Sequence, residues 1–297
     1  MSAIPRPQFI CPVCGPAASA TSSSSRVLPA GFAVVTCSNC GTEWQWPRPT
    51  PGELARLYTR EYFDAWGIQD NEEAVRTLKK TTFSRLFDSI ERRGPRGALL
   101  DVGCATGYLL EAAEERGWKP HGIELSEYGS RVAKQRFGDD RIFHGRLEEA
   151  TFADGSFAAI TMTDLIEHVL DPVDTVKIVL GLLAPGGVLC ITTPRAGGVS
   201  YHLMGKRWTQ YKLEHLQYFN PESLTQLLAH SGFTAIEVRS WPKTVSLDYV
   251  STQFARYRHS LISPLVAVSS RIFPPVVKST AIALPLGDMI ALATKKE

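Results

Sequence analysis

The stretch Leu99-Leu-Asp-Val-Gly-Cys-Ala-Thr-Gly-Tyr108 constrains the fold more than any other part of the chain. Ala98 to Val102 is a short apolar run that predicts a buried strand, and Tyr108 to Arg116 predicts a helix. A strand that turns tightly into a helix N-terminus leaves unpaired backbone N–H groups at the mouth of a parallel sheet. Gly103 and Gly107 carry no Cβ, so a ligand can approach the backbone there. His121-Gly-Ile-Glu-Leu-Ser126 then reads as a second apolar strand with an acid, Glu124, near its end. An acid at that place in a βαβ unit commonly accepts hydrogen bonds from ribose hydroxyls. Taken alone, these segments also fit an ordinary strand–helix turn or a dinucleotide site.

The same alternation continues along the chain. Asn71 can cap a helix whose apolar positions are Val75, Leu78, Phe83, Leu86, Phe87 and Ile90, with Gly94-Pro95 ending it. This helix is expected to lie against the main sheet. Glu127 to Phe137 reads as a helix, Arg141 to His144 as a strand and Phe157 to Thr163 as another. Asp171-Pro172 starts a helix through Leu183, Ala184 to Gly187 is a turn, and Val188 to Thr193 is a strand. Thr234 to Trp241 and Asp288 to Thr294 read as the last two strands. Strands alternating with helices predict an α/β, doubly wound sheet with ligands at the carboxyl ends of the strands.

Before this domain stand Cys11-Pro-Val-Cys14-Gly15 and Cys37-Ser-Asn-Cys40-Gly41. Two C-x-x-C-G knuckles suit tetrahedral zinc, and four protein ligands make a closed, structural site. Redox disulfides are the alternative. Ser22 to Ser25 reads as a mobile hairpin tip. Residues 1–50 are thus expected to form a zinc ribbon and residues 51–95 a linker with N-terminal helices. Residues 96–297 would form the main domain, with an acceptor-side insertion at 199–220. The aromatics around Tyr58, Tyr62 and Phe63 are expected to pack the small domain onto the large one.

Charge narrows the partners. The net charge of +2 creates no global field that demands nucleic acid. In the ribbon, Arg6, Arg26 and Arg48 stand against Glu43, too sparse for a phosphate-binding face. No export signal is evident, and the apolar stretch from Ser260 to Leu286 is broken by prolines and cations, so no transmembrane helix is predicted. Of the six cysteines, Cys104 and Cys190 lie outside the knuckles. Buried free thiols fit a reducing cytoplasm.

Asp101-x-Gly103-x-x-x-Gly107 resembles the first motif of class I S-adenosylmethionine (SAM)-dependent methyltransferases, with Ala105 where many members have a third glycine. Gly122-Ile-Glu124 resembles their second motif. Asp154-Gly-Ser-Phe157 and Leu183-Ala-Pro-Gly-Gly187 resemble their landmarks before the fourth and fifth strands. The resemblance spans roughly residues 75–297. It implies a Rossmann-like, seven-stranded sheet and SAM as cofactor, held by Asp101, Gly103, Cys104, Ala105, Gly107, Glu124, Leu125 and Asp164. Many members carry an acid where Arg146 stands, beside the adenine, so this chain departs from the family there.

Methyl transfer from a sulfonium is an in-line displacement, and the protein mainly aligns donor and acceptor. A hydroxyl acceptor also needs a base. Asp164-Leu-Ile-Glu167-His168 follows the fourth strand, with both acids and the imidazole placed to converge in a helical or turn geometry. The segment is similar to the acid-x-x-Glu-His sequence of ubiquinone-pathway O-methyltransferases, where that cluster binds a divalent metal. Trp208-Thr-Gln-Tyr-Lys-Leu-Glu-His215-Leu-Gln-Tyr-Phe219 resembles the insertion of many glycan and secondary-metabolite methyltransferases that forms the acceptor pocket. His215 is the first candidate for the base and His168 the second.

The reading that results is a cytoplasmic SAM-dependent methyltransferase with structural Zn2+ in its ribbon. Its expected acceptor is a small molecule, most plausibly a sugar or glycan hydroxyl. Arg239, Lys243, Arg256, Arg258, Arg271 and Lys278 against Asp248 suggest an anionic acceptor, a nucleotide sugar or a lipid-linked glycan, with peripheral membrane contact through residues 239–278. The alternatives are an RNA base methyltransferase that uses the ribbon for binding, and a non-catalytic SAM-binding scaffold.

Overall fold

The computed structural model describes residues 10–15, 24–28, 31–55, 72–245, 247, 251, 262–274, 277, 280 and 282–297. Their elements alternate as the sequence predicts. Strands β4 (Ala98–Val102), β5 (Lys119–Glu124), β6 (Ile142–His144), β7 (Phe157–Thr163) and β8 (Leu183–Pro194) are followed by β10 (Phe233–Val245) and β11 (Ile282–Lys295). They form one seven-stranded sheet in the order β10-β11-β8-β7-β4-β5-β6. The strands β4 to β8 pair in parallel. The last strand, β11, lies antiparallel to both β8 and β10. The order reverses between β5 and β7 on either side of β4, which places a ligand crevice at the carboxyl end of β4.

Each strand feeds both faces of the sheet through its period of two. Leu99, Ala159, Cys190 and Ile290 join one buried cluster with Phe83, Leu86, Phe87 and Ile90 of α2 (Glu72–Glu91). That is the helix expected against the sheet. Their neighbours Leu100, Ile160, Ile191 and Ala291 join the other cluster. It includes Val176 and Val179 of α5 (Pro172–Leu182) and Leu224, Leu227 and Leu228 of α7 (Pro221–His230). The helices α3 (Tyr108–Glu115) and α4 (Glu127–Phe137) complete the layers around β5. Glu91 accepts from Arg116, Arg96 and Trp118 Nε1, and these donors hold its carboxyl below the ordinary range.

The second sheet is small. Strands β1 (Ser24–Val27), β2 (Ala33–Thr36) and β3 (Glu43–Trp46) form an antiparallel ribbon. Its fourth strand, β9 (Gln217–Tyr218), comes from the insertion after β8 and pairs with β3, Glu43 opposite Tyr218 and Trp44 opposite Gln217. Cys11, Val13, Val35, Cys37, Cys40 and Trp44 are buried in the same cluster as the core of the large sheet. Glu43, itself buried, accepts from Tyr201 Oη at 2.7 Å and Tyr211 Oη at 2.8 Å.

Several boundaries differ from expectation. Ser24 and Ser25 begin β1 rather than a loop tip. The segment Ala184–Gly187, expected as a turn, lies in the start of β8, and Leu183, expected to end the helix, opens that strand opposite Phe157. Both β10 and β11 run past their expected ends, and Lys243–Val245 pair with Ile282–Leu284 beyond the end of β8. The proline- and glycine-based readings miss this because strand pairing supplies the hydrogen bonds that such short segments otherwise lack. The insertion holds α6 (Val199–Met204), a 3₁₀ turn (Gly205–Arg207) and β9. Helix α1 covers Pro51–Ala55 and α8 covers Ile262–Ile272. Asn71, Tyr58, Tyr62, Phe63, Arg6, Arg256, Arg258, Lys278 and Asp248 lie outside the described residues.

Candidate active site

The glycine-bearing turn is held from below and from one side. Gly103 and Cys104 donate their N–H groups to the carbonyl of Ile123, at 2.8 and 3.0 Å, which ties the turn to β5. Ala105 has φ 48°, a left-handed conformation that glycine adopts freely and alanine only with strain. Its N–H donates to Glu124 Oε2 at 2.8 Å. The other oxygen of Glu124 accepts from Ser126 N at 2.7 Å, and Ser126 caps α4. A Cβ on Gly129 would come within 3.0 Å of Glu124 Cγ, so a glycine there gives the acid its room. A carboxylate offers about four lone-pair sites. Two backbone bonds therefore leave Glu124 capacity for a ligand's hydroxyls.

Asp101 lies beside it at the end of β4, fully buried, and accepts from Thr161 Oγ1 at 2.6 Å. Burial pushes its pKa up to about 7, and it raises that of Glu124 as well. Leu125, next in chain, is 43% exposed at the same mouth. The hydroxyl of Thr106 in the turn is buried without a hydrogen-bond partner among the described residues. Two buried acceptors, an apolar face and an orphaned hydroxyl suit a ligand that combines hydroxyls, a cation and a flat apolar ring. SAM has those parts, and the residues fit it. Gly107 closes the turn at φ 88° as the first cap of α3, and Cys104 is buried against Gly122. Arg146 spends its N–H on Glu149 Oε2 at 2.9 Å, opening the 3₁₀ turn Leu147–Glu149.

The acceptor side begins where Leu165 packs over Gly103, its Cδ1 3.1 Å from where a Cβ would stand. Residues 164–170 form turns, one of the two geometries expected, with His168 N donating to Leu165 O at 2.8 Å. Asp164 nonetheless stays outside the cluster that Glu167 and His168 enter. It sits at φ 52° and donates its N–H to Thr192 O at 2.9 Å. The group that converges is Glu167, His168 and His215, whose ligating atoms all lie within 4.8 Å of one another. The rings of His168 and His215 meet edge to face with centroids 4.8 Å apart. Thr193 Oγ1 donates to Glu167 Oε2 at 2.9 Å and orients it. Burial, aided by Lys212, lowers the pKa of His168 to about 4, so its ring is neutral at physiological pH.

The four knuckle cysteines form the other converging group, with sulfurs within 4.8 Å of one another and Cys11 Sγ 3.6 Å from Cys40 Sγ. Tetrahedral zinc with bonds of about 2.3 Å needs sulfurs roughly 3.8 Å apart. Val13 N and Cys14 N both point at Cys11 Sγ, at 3.4 Å. Gly15 and Gly41 take φ 65° and 69° to close the knuckles, bonding back to the Cys11 and Cys37 carbonyls. The donor set and spacing fit zinc. All six cysteines are free thiols, and no described helix is long and apolar enough to cross a membrane.

The sequence did not mark the supporting residues Thr161, Thr193, Glu43, Arg48 and Gln217. Thr161 and Thr193 had a partial signal, since threonines gather at the carboxyl ends of both strands, Thr161 with Thr163 and Thr193 with Thr192. The others act across long separations in the chain and leave no local trace.

The methyltransferase-domain family model matches residues 72–238. A ubiquinone biosynthesis O-methyltransferase of Psychrobacter arcticus is 30% identical over 155 residues, covering 47% of this chain and 60% of that protein. The chain thus spans a little over half the length of that relative. Among solved structures, a SAM-dependent methyltransferase of Thermotoga maritima, described as a possible histamine N-methyltransferase, has a TM-score of 0.52 at 21% identity. The match covers 82% of this chain and 99% of that one. Geranyl diphosphate C-methyltransferase of Streptomyces coelicolor has a TM-score of 0.54 at 17% identity, covering 83% and 88%. At these identities the structures speak for the fold, which is the Rossmann-like fold of the described seven-stranded sheet.

Proposed function

Because the chain belongs to the methyltransferase-domain family, we propose that it moves the methyl group of SAM to a hydroxyl of a small-molecule acceptor. The observation that carries this reading is the meeting of Glu167 and His168, on the turn whose Leu165 packs over the glycine loop, with His215 of the insertion. When bound, SAM supplies a methyl group already activated by the sulfonium charge. Glu124, Asp101 and the unpartnered hydroxyl of Thr106 would hold the cofactor, with Leu125 as the apolar face at the same mouth, while the amides of Gly103, Cys104 and Ala105 brace the loop itself. His215 takes the acceptor's proton as attack proceeds, and neutral His168 with Glu167 holds that imidazole in place. Asp164, at the end of β7, lines the donor side.

O-methylation is favoured by the curated relatives, which are named O-methyltransferases. A sugar or glycan hydroxyl and a phenolic hydroxyl both suit one imidazole base. An anionic acceptor accords with the excess of cations over residues 239–278, and membrane contact accords with exposed Val268, Ile272 and Phe273. Zinc on Cys11, Cys14, Cys37 and Cys40 would be structural, closed by its four thiolates. Free thiols throughout accord with a cytoplasmic location.

The RNA reading loses ground because Arg48, one of the ribbon's few cations, is spent inside the protein on Leu170 O and Gln217 Oε1. The scaffold reading loses its main support because Ala105 adopts the conformation of the glycine it replaces.

Titration with S-adenosylhomocysteine, followed by methyl transfer from labelled SAM to catechol, a simple phenol, a nucleotide sugar and an RNA duplex, tests the proposal. Micromolar binding with transfer to a catechol, phenol or sugar hydroxyl is expected. Binding without transfer to any hydroxyl acceptor, or transfer to RNA alone, would overturn it.

A further inference from the structure

The side chain of Gln217 is fully buried, and every polar atom it has is used. Its Nε2 donates to the carbonyls of Ile166, at 2.7 Å, and Val169, at 2.8 Å. Its Oε1 accepts from Arg48 Nη2 at 2.9 Å, and that guanidinium also donates to Leu170 O at 2.7 Å. The backbone repeats the link. Leu216 N donates to Glu167 O at 2.8 Å, while Gln45 N donates to Leu216 O at 2.9 Å.

Ile166 and Val169 bracket Glu167 and His168, and Gln217 stands two residues beyond His215. One amide thus fixes the two chain segments that bring Glu167 and His168 against His215. Arg48, on the exit from the ribbon, locks that amide from behind. We propose that Gln217 is a positioning residue that sets the His168–His215 contact, and that Arg48 makes the ribbon part of that arrangement. This rests on the reading of His215 and His168 as the reacting pair.

The mechanism is one of satisfied donors. Loss of the amide N–H groups leaves two buried carbonyls without partners, and a buried orphaned polar group costs more than an average hydrogen bond is worth. The turn then relaxes toward solvent, carrying Glu167 and His168 away from His215. A buried network of this kind specifies geometry because it is complete.

The test uses the full-length chain and two variants. Gln217→Leu removes every polar contact. Gln217→Glu keeps an acceptor for Arg48, hence the anchor to the ribbon, but removes both donors to the turn. In protein with 13C-labelled histidine rings, the magnetisation-transfer signal between His168 and His215 should be present in the parent chain and lost in both variants. Amide exchange across residues 164–170 should rise about tenfold or more. S-adenosylhomocysteine affinity should fall far less than kcat, because the glycine loop is tied to β5 through Ile123 O even though Leu165 rests on Gly103. On whichever hydroxyl acceptor of the panel is methylated, kcat should fall with KM for SAM unchanged.

A persisting ring contact in Gln217→Glu, with exchange unchanged across 164–170, would overturn the proposal. So would equal loss of cofactor affinity and kcat in Gln217→Glu, since that marks a general structural role. A parent chain that binds S-adenosylhomocysteine but methylates nothing would count against the proposed function, while the ring signal and exchange still decide the role of Gln217.

Discussion

The imidazoles of His168 and His215 lie edge to face, 4.8 Å between centroids, although one follows the fourth parallel strand and the other follows the fifth. Neither ring is placed by its own strand. Removing His215 should therefore remove a base without disturbing the cofactor loop. His215→Ala is expected to lower kcat by roughly 10²-fold or more, the usual contribution of a positioned base. S-adenosylhomocysteine affinity, measured by calorimetry, should hold within about twofold. Equal loss of both would assign His215 to packing.

Ala105 at φ 48° carries backbone strain that glycine would not. Left-handed conformation costs a non-glycine residue about 1–2 kcal/mol, and glycine gives back up to about 1 kcal/mol through the freer unfolded chain. Ala105→Gly should thus raise stability by no more than about 1 kcal/mol and keep cofactor binding. Ala105→Val should lower both, because a β-branched residue tolerates that conformation poorly. Urea midpoints and S-adenosylhomocysteine titrations measure each.

Asp101 supplies a pH dependence whose sign is fixed. Its pKa rises from 3.8 to about 7 on burial. Between those values the native state keeps a proton that the unfolded chain has lost, so the ligand-free protein should lose stability as pH rises through that window. Asp101→Asn should flatten the profile by up to about 1.4 kcal/mol per pH unit. What slope remains would combine Glu124, raised in the same direction, with His168, whose lowered pKa makes stability rise with pH below its ordinary value of 6.5. Urea melts at pH 5 and pH 7 compare the two chains.

Metal content gives a further test. The purified protein should hold about one zinc per chain, as a single four-thiolate site takes one ion. Strong chelation, or Cys37→Ser, should lower Tm by roughly 5 °C or more, since structural zinc contributes folding energy directly. Amide exchange should rise in residues 211–219 before it rises in 98–130, because β9 pairs with β3 whereas β4 pairs with β5 and β7.

Much of this arrangement could be read from the sequence because its signals are local. The strand–turn–helix at Leu99–Tyr108, the acid at Glu124 and the two knuckles each sit within a few residues, where glycine placement and apolar runs dictate the backbone. The acceptor side was only half legible. His168 and His215 stand out as isolated histidines, but their meeting depends on Gln217 and Arg48, which lie far apart in the chain. The expected convergence of Asp164 with Glu167 and His168 rested on spacing alone, whereas Asp164, at φ 52°, bonds to Thr192 and His215 completes the cluster instead. Residue spacing predicts neighbours only once the local backbone is known.

A four-stranded sheet made from two segments far apart in one polypeptide also bears on how such proteins can diversify. Strand β9 is the outer strand of the ribbon sheet and a segment of the insertion at once. A hybrid that grafts a foreign ribbon onto this catalytic body would break the pairing of Trp44 with Gln217, and so misplace His215. Ribbon and insertion are thus one structural unit, and a change of acceptor is expected to travel with changes in both.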